Sequence, residues 1–139
     1  MTGATPPARD VRRAVRARRI PLSARPGTVA EARLATAGLL AGTTDRAAGD
    51  AVLLVSELVA NAVRHTGAPG TLLLVRGRRL LRIEVSDSSP RPPWPRRPRR
   101  HRDTGGFGLF LVDSLAGRWG WYRQGPGKVV WCEVRLPPP

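Results

Sequence analysis

The alternation of hydrophobic and polar positions predicts three helices and five strands along the chain. Apolar residues recur at helical intervals in three segments, over 29–41, from about Asp45 to Thr66, and over 107–119. We expect the helix in the third segment to end at Gly117. Shorter runs have the period of a β-strand, and they cover 20–23, 71–77, 80–87, 120–124 and 128–136. Pro21 places the first of these strands at an edge, because proline donates no ladder hydrogen bond.

The apolar faces of the first two helices differ in width. In the first helix the predicted buried residues are Val29, Ala32, Leu34, Ala37 and Leu40. In the second helix one apolar row is flanked by another, and together they comprise Ala48, Val52, Val55, Val59, Val63, Ala51, Leu54, Leu58 and Ala62. A face this wide predicts a largely buried helix.

The order of the elements predicts the fold class. Two consecutive helices followed by hairpins, rather than strictly alternating strands and helices, indicate an α+β fold. We expect a two-layer α/β sandwich, in which helices cover one face of a mixed, mostly antiparallel sheet. The predicted domain covers 20–136, with a lid at about 88–105, after a disordered basic arm at 1–19 and before a tail at 137–139.

Composition narrows the function classes. The net charge of +14 is typical of a nucleic-acid binder. However, all but one of the 24 basic residues are arginine, and they concentrate in the arm and the lid, where basic residues bind phosphates without specificity. One cysteine excludes an internal disulfide. The sequence has no membrane span and no secretory signal, so a cytoplasmic protein is expected.

A polar stripe on the second helix is the first candidate site. Glu57, Asn61 and His65 are spaced four residues apart and therefore share one helix face. A carboxylate and an amide oxygen one turn apart are suitable ligands for Mg²⁺, and the glutamate could also act as a base. The alternative is a solvated face, which is the commoner explanation for such a stripe.

Two further segments carry candidate chemistry. Asp87 ends a strand, where its carboxylate could accept a hydrogen bond from an exocyclic amine or simply initiate a turn. Gly105, Gly106 and Gly108 precede Leu109 at a predicted helix start, where free N–H groups favour a phosphate. Glycine in this position is also common for steric reasons.

The order and spacing of these segments give a more specific signal. "SELVANAVRH", a strand-terminal Asp87, a long loop and "GGFGLFLVDSLAGRWGW" followed by "GKVVW" resemble the ATP-binding domain of histidine kinases, type II topoisomerases and a heat-shock chaperone. Within that superfamily the chain is most similar to anti-sigma-factor serine/threonine kinases. The resemblance covers roughly 20–136.

The resemblance implies roles for individual residues. Glu57 corresponds to the general base, and Asn61 to the ligand of the Mg²⁺ that bridges the ATP phosphates. Asp87 corresponds to the residue that binds the adenine amine. The glycine segment, from Gly105 and Gly106 to Gly108 and Leu109, corresponds to the phosphate-binding box. The implied reaction transfers the γ-phosphate of ATP to a serine of an anti-anti-sigma (STAS) protein, and the implied partners are that protein, a sigma factor and a second copy in a homodimer.

The sequence also departs from the family pattern. Ser88 and Ser89 follow Asp87 where a glycine is usual, Phe107 replaces an arginine between the glycines, and Lys128 and Val129 lie near the position of a second adenine-binding threonine. Two alternatives to a kinase therefore stay open. One is a regulatory binding module of the same fold that holds nucleotide weakly or not at all, and the other is a basic nucleic-acid binder.

Overall fold

The computed structural model describes residues 16–43, 46–65, 69–91, 93 and 112–138, without the side chains of His65 and Pro69. The elements in chain order are β1 (Arg16–Pro21), α1 (Thr28–Leu39), α2 (Arg46–His65), β2 (Pro69–Arg76), β3 (Leu80–Asp87), β4 (Arg118–Gln124) and β5 (Gly127–Arg135). Residues 112–115 are also helical. None of the helices in these ranges is long and apolar enough to cross a membrane.

The five strands within the described ranges form one sheet in the order β1-β2-β3-β5-β4. All four strand pairs are antiparallel, so the described sheet lacks the parallel pair that a mixed sheet would contain. β5 lies between β3 and β4, which means that the chain makes β4 at the sheet edge before it returns to fill the interior. The predicted α+β class is confirmed.

The core lies between one face of this sheet and the two helices. Alternate residues of the inner strands point into it, among them Leu72 and Leu74 of β2, Ile83 of β3 and Cys132 of β5. The apolar rows of α2 supply the other side, where Leu54, Val55, Leu58 and Val59 are buried. The wide apolar face of the second helix therefore matches the prediction.

The opposite face of the sheet carries a buried ion network. Arg82 is only 3% exposed, and it lies 3.1 Å from Glu133 and 3.4 Å from Glu84. Its guanidinium also stacks over the Trp131 ring, 4.3 Å from the centroid. The hydroxyl of Tyr122 donates to Glu84, and burial together with the negative charge of Glu84 raises the pKa of that tyrosine.

Several boundaries differ from the sequence prediction. The first strand begins at Arg16, so residues 16–19 are part of an edge strand and not of the disordered arm. Their backbone pairs with β2, while the arginine side chains stay exposed, and arginine on a sheet edge is compatible with this arrangement because it discourages further pairing. The rest of the arm lies outside the described residues.

The buried face of α1 was also predicted in part wrongly. Leu34 is 74% exposed and Ala37 is exposed, whereas Thr28, Ala32, Ala35, Thr36 and Leu39 are buried. The buried set follows intervals of three and four, which the predicted set did not keep. At the end of this helix the guanidinium of Arg76 donates to the carbonyl of Leu39, so a strand residue caps α1.

The third helix ends earlier than predicted, at residue 115, and Arg118 and Trp119 belong to β4. Trp119 remains linked to the helical segment, because its indole N–H donates to Asp113 over 3.0 Å. Residues 107–111 and most of the predicted lid lie outside the described residues. Pairing with β5 starts at Arg118 and includes Trp119. For this reason Trp119 is a strand residue and does not extend the helix.

Burial makes a prediction about Cys132. This thiol is fully buried, and burial raises its pKa from 9.0 to about 12. Because thiols react as thiolates, we expect an aromatic disulfide reagent at pH 8 to label Cys132 only as fast as the protein unfolds. Rapid labelling of the folded protein would contradict this burial.

The free energy of unfolding should also fall as the pH rises from about 9 towards 12. The reason is that the Cys132 thiol loses its proton in the unfolded chain at a lower pH than in the folded protein.

Candidate functional site

The polar stripe of α2 lies at the margin of the buried face. Glu57 and Asn61 are both partly exposed, whereas Leu54 and Leu58 on the adjacent row are buried. Both polar side chains therefore border the core layer, and they are neither fully buried nor fully exposed. His65 is the last residue of the helix, and its side chain lies outside the described part.

The amide oxygen of Asn61 is the least satisfied polar atom of this stripe. Oδ1 is buried, yet it accepts no hydrogen bond from any residue in the described ranges. A buried carbonyl oxygen without a donor costs about 1–3 kcal/mol. Such an atom is suited to a ligand that supplies a cation or a donor.

The carboxylate of Glu57 lies one turn before Asn61. Its side chain is partly exposed, and it forms no ion pair with the residues that the structure describes. A carboxylate that is neither neutralised nor fully solvated is available to accept a proton from a bound group.

Asp87, by contrast, is held firmly at the end of β3. Its Oδ1 accepts from the backbone N–H of Ser89 over 2.8 Å and from the Lys128 ammonium over 3.0 Å. Asp87 and Lys128 are direct partners in the β3–β5 ladder. Both side chains point to the face that α1 and α2 cover, because Val85 and Val130, two residues away, belong to the core.

Close backbone contacts fix the position of Asp87. A Cβ on Gly127 would overlap the carbonyl oxygen of Asp87, so only glycine allows β5 to start this near the end of β3. On the other side, Ser86 exchanges hydrogen bonds with the backbone of Thr71. The guanidinium of Arg123 donates to the carbonyl of Pro90 over 3.1 Å, which ties the segment after Asp87 to β4.

The topology brings α2 and Asp87 to the same end of the sheet. The helix ends at His65, and β2 begins at Pro69, which pairs with Asp87. The four peptide steps from His65 to Pro69 span at most about 15 Å. The Asn61 end of α2 therefore lies at the same sheet end as Asp87 and Lys128.

The remaining predicted contacts, Gly105, Gly106, Gly108 and Leu109, lie outside the described residues. Lys128 was named in the sequence only as a residue near an absent threonine, and its ion pair with Asp87 was not anticipated. The strand pattern alone could have suggested the pair if the register of β3 and β5 had been known.

A cavity of about 420 Å³ lies elsewhere in the fold. Arg79, Leu80, Arg118 and Arg135 are among its lining residues, together with Gly117, Glu133 and Leu136. These residues stand where β3 begins and where β5 ends. The cavity is therefore at the opposite end of the sheet from Asp87, and it does not belong to the candidate site.

Comparison with known proteins identifies the family. A profile described as "Histidine kinase-like ATPase domain" matches residues 22–133. The chain belongs to this family. It is 35% identical over 89 residues to the uncharacterized protein SCO4941 of Streptomyces coelicolor, an alignment that covers 61% of this chain and 85% of that protein.

A solved structure shares the fold of this ATPase-family chain. The crystal structure of the RsbU and RsbW domains of Rv1364c from Mycobacterium tuberculosis matches with a TM-score of 0.65 and 20% identity. The match covers 90% of this chain and 33% of the other, so the chain spans about a third of that protein. The two-layer fold and the ATPase superfamily that the sequence resemblance implied are confirmed.

The described residues fit the ligand that an ATPase family implies. Mg²⁺ takes a few oxygen ligands from the protein and several from water and phosphates, and the unpartnered Oδ1 of Asn61 is an oxygen of this kind. Asp87 supplies an anchored carboxylate at the same end of the sheet. Glu57 supplies a second carboxylate, one helical turn before Asn61.

Proposed function

We propose that the protein is an ATP-dependent serine/threonine kinase of the anti-sigma-factor type. It transfers the γ-phosphate of ATP to a serine of an anti-anti-sigma (STAS) protein, and it also sequesters a sigma factor. The observation that carries the proposal is the buried, unpartnered Oδ1 of Asn61 on a helix of an ATPase-family domain. We place this activity in the cytoplasm, and a homodimer is the assembly that we propose.

Each proposed site residue has one task in the proposed reaction. Asn61 would hold Mg²⁺, and that ion would supply positive charge to the phosphate oxygens of a bound nucleotide. Glu57 accepts the proton of the attacking serine hydroxyl, so that the oxygen becomes nucleophilic as it approaches the γ-phosphate. Asp87 accepts from the base and thereby fixes the far end of the nucleotide. The glycine segment from Gly105 to Leu109 is proposed to contact the phosphates.

One observation favours a second candidate function, a binding module that retains the fold and holds nucleotide weakly. Oδ1 of Asp87 already accepts from Ser89 and Lys128, which reduces its capacity for a base. In that case sequestration of a protein partner would be the whole activity. A nucleic-acid binder receives less support, because the chain belongs to a family of ATPase domains.

Replacement of Asn61 tests the kinase proposal. We expect Asn61→Ala to weaken Mg-ADP binding by roughly tenfold or more, since loss of groups that only support metal ligands already costs 10–100-fold. In EDTA the two proteins should bind ADP equally. Calorimetry with ADP, with and without Mg²⁺, measures both values.

Two variants control for changes in the helix itself. Asn61→Asp keeps an oxygen ligand and should retain most of the Mg²⁺ dependence. Ser56→Ala removes only a hydroxyl that donates to the Val52 carbonyl and should bind as the wild type does. Unchanged Mg-ADP affinity in Asn61→Ala would remove the metal role, and no nucleotide heat from the wild type at millimolar ligand would remove the kinase proposal.

A further inference from the structure

The Asp87–Lys128 pair presents two kinds of hydrogen-bonding group at one point. The side chains are only 9% and 10% exposed. Both hydrogen bonds that Asp87 makes to described residues use Oδ1, so Oδ2 remains as an acceptor. The Lys128 ammonium has three N–H donors, and one of them is directed at Asp87.

We infer that Lys128 reads the base together with Asp87, and that the site therefore accepts guanine nucleotides as well as adenine nucleotides. This inference rests on the proposed nucleotide site and names its substrate class. Asp87 is the acceptor and Lys128 is the donor of one composite contact at the paired end of β3 and β5.

The two purines differ in the group at position 6. Adenine has an amine there, which donates, and guanine has a carbonyl, which accepts. A carboxylate alone binds the amine and repels the carbonyl, because two acceptors face each other without a proton. A site built in this way rejects the wrong group strongly, since its buried polar atom is left unpaired.

Lys128 supplies the donor that a lone carboxylate lacks, so the guanine carbonyl is no longer rejected. An ammonium next to the carboxylate donates to the guanine carbonyl, while the N–H groups of the guanine Watson–Crick edge donate to Asp87. With adenine, the amine donates to Asp87 and the ammonium keeps its bond to the same carboxylate. Either base is therefore satisfied, and neither leaves a buried charge unpaired.

The register of the β3–β5 pair fixes the Lys128 ammonium beside Asp87. Lys128 and Asp87 face each other as direct strand partners, and the 3.0 Å contact keeps the ammonium beside the carboxylate. Gly127 lets the two strands approach at this point. The donor is thus part of the sheet and does not depend on a mobile loop.

The test measures binding of Mg-ADP and Mg-GDP by calorimetry in the wild type and in Lys128→Met. In the wild type we expect the two dissociation constants to lie within roughly tenfold of each other. Lys128→Met keeps the length of the side chain but removes the donor. It should weaken the binding of GDP at least about tenfold more than the binding of ADP, as expected for loss of a hydrogen bond to a charged group. Lys128→Gln restores a neutral donor and should recover part of the GDP affinity.

Arg135→Met is the matched control, because it removes a basic residue at the other end of the same strand and should leave the ADP/GDP ratio unchanged. A wild type that prefers ADP by more than about a hundredfold, or a ratio that Lys128→Met does not change, would overturn the inference and leave the kinase proposal standing. Absence of binding of both nucleotides would instead overturn the proposed function itself. The wild-type ratio decides the inference even where a variant fails to fold.

Discussion

Glu57→Gln is expected to lower phosphoryl transfer by about 100-fold or more, the range that a general base contributes, while Mg-ADP binding stays within about twofold of the wild type. The amide keeps the shape and the polarity of the side chain but does not accept a proton at neutral pH. Binding should persist, because Asn61 and Asp87 are the residues proposed to hold the metal and the base. The effect should therefore appear in kcat and not in KM.

Two measurements check this expectation. Release of inorganic phosphate from ATP uses water in place of the serine, and transfer of labelled phosphate to STAS proteins of the same genome uses the serine itself. Asp50→Asn is a suitable control, since it removes a carboxylate from the same helix two turns away and should keep full activity. Equal turnover in Glu57→Gln would reject the general-base role.

The second large effect concerns stability. Glu133→Ala is expected to lower the free energy of unfolding by about 3 kcal/mol, because among the described residues it leaves the buried Arg82 with Glu84 and the Trp131 ring alone. This corresponds to a decrease in Tm of roughly 6–12 °C. Urea unfolding followed by circular dichroism measures the change.

Two further variants show whether the cost arises from an unpaired charge. Arg118 lies 3.7 Å from Glu133 but is 62% exposed, so Arg118→Met should cost less than about 1 kcal/mol. The double variant Arg82→Met with Glu133→Leu removes both charges and should be more stable than Glu133→Ala. If Glu133→Ala costs no more than Arg118→Met, the ion network does not hold this face of the sheet.

The sequence predicted the fold because its two periods are clear. Val55, Leu58, Val59 and Ala62 follow the helical period, and Leu81, Ile83 and Val85 follow the strand period, and the structure buries all seven. Edge strand β1 was harder to recognise, because three of its residues in 16–19 are arginines, and the backbone pairing with β2 holds it without an apolar pattern.

The sequence could not show which polar residues are buried. Arg82 alternates with apolar residues along β3, and its partner Glu133 is 51 positions away. Lys128 is likewise 41 positions from Asp87. Residue spacing places side chains within a helix or a strand, but contact between distant strands depends on register, which tertiary packing decides. Residue type and spacing suggested candidate chemistry for Glu57, Asn61 and Asp87, the family resemblance made their roles specific, and these roles remain predictions.

The position of β5 has a consequence for folding during synthesis. This strand is the last of the five in chain order, yet it occupies the sheet interior between β3 and β4. Pairing across such sequence distances is slow, because a long loop must close before any contact forms. A nascent chain that stops short of residues 127–135 lacks the partner of Asp87 and leaves both β3 and β4 with an open edge. We therefore expect nucleotide binding to arise late, after the ribosome has released β5, and stalled chains to need protection from strand-to-strand association.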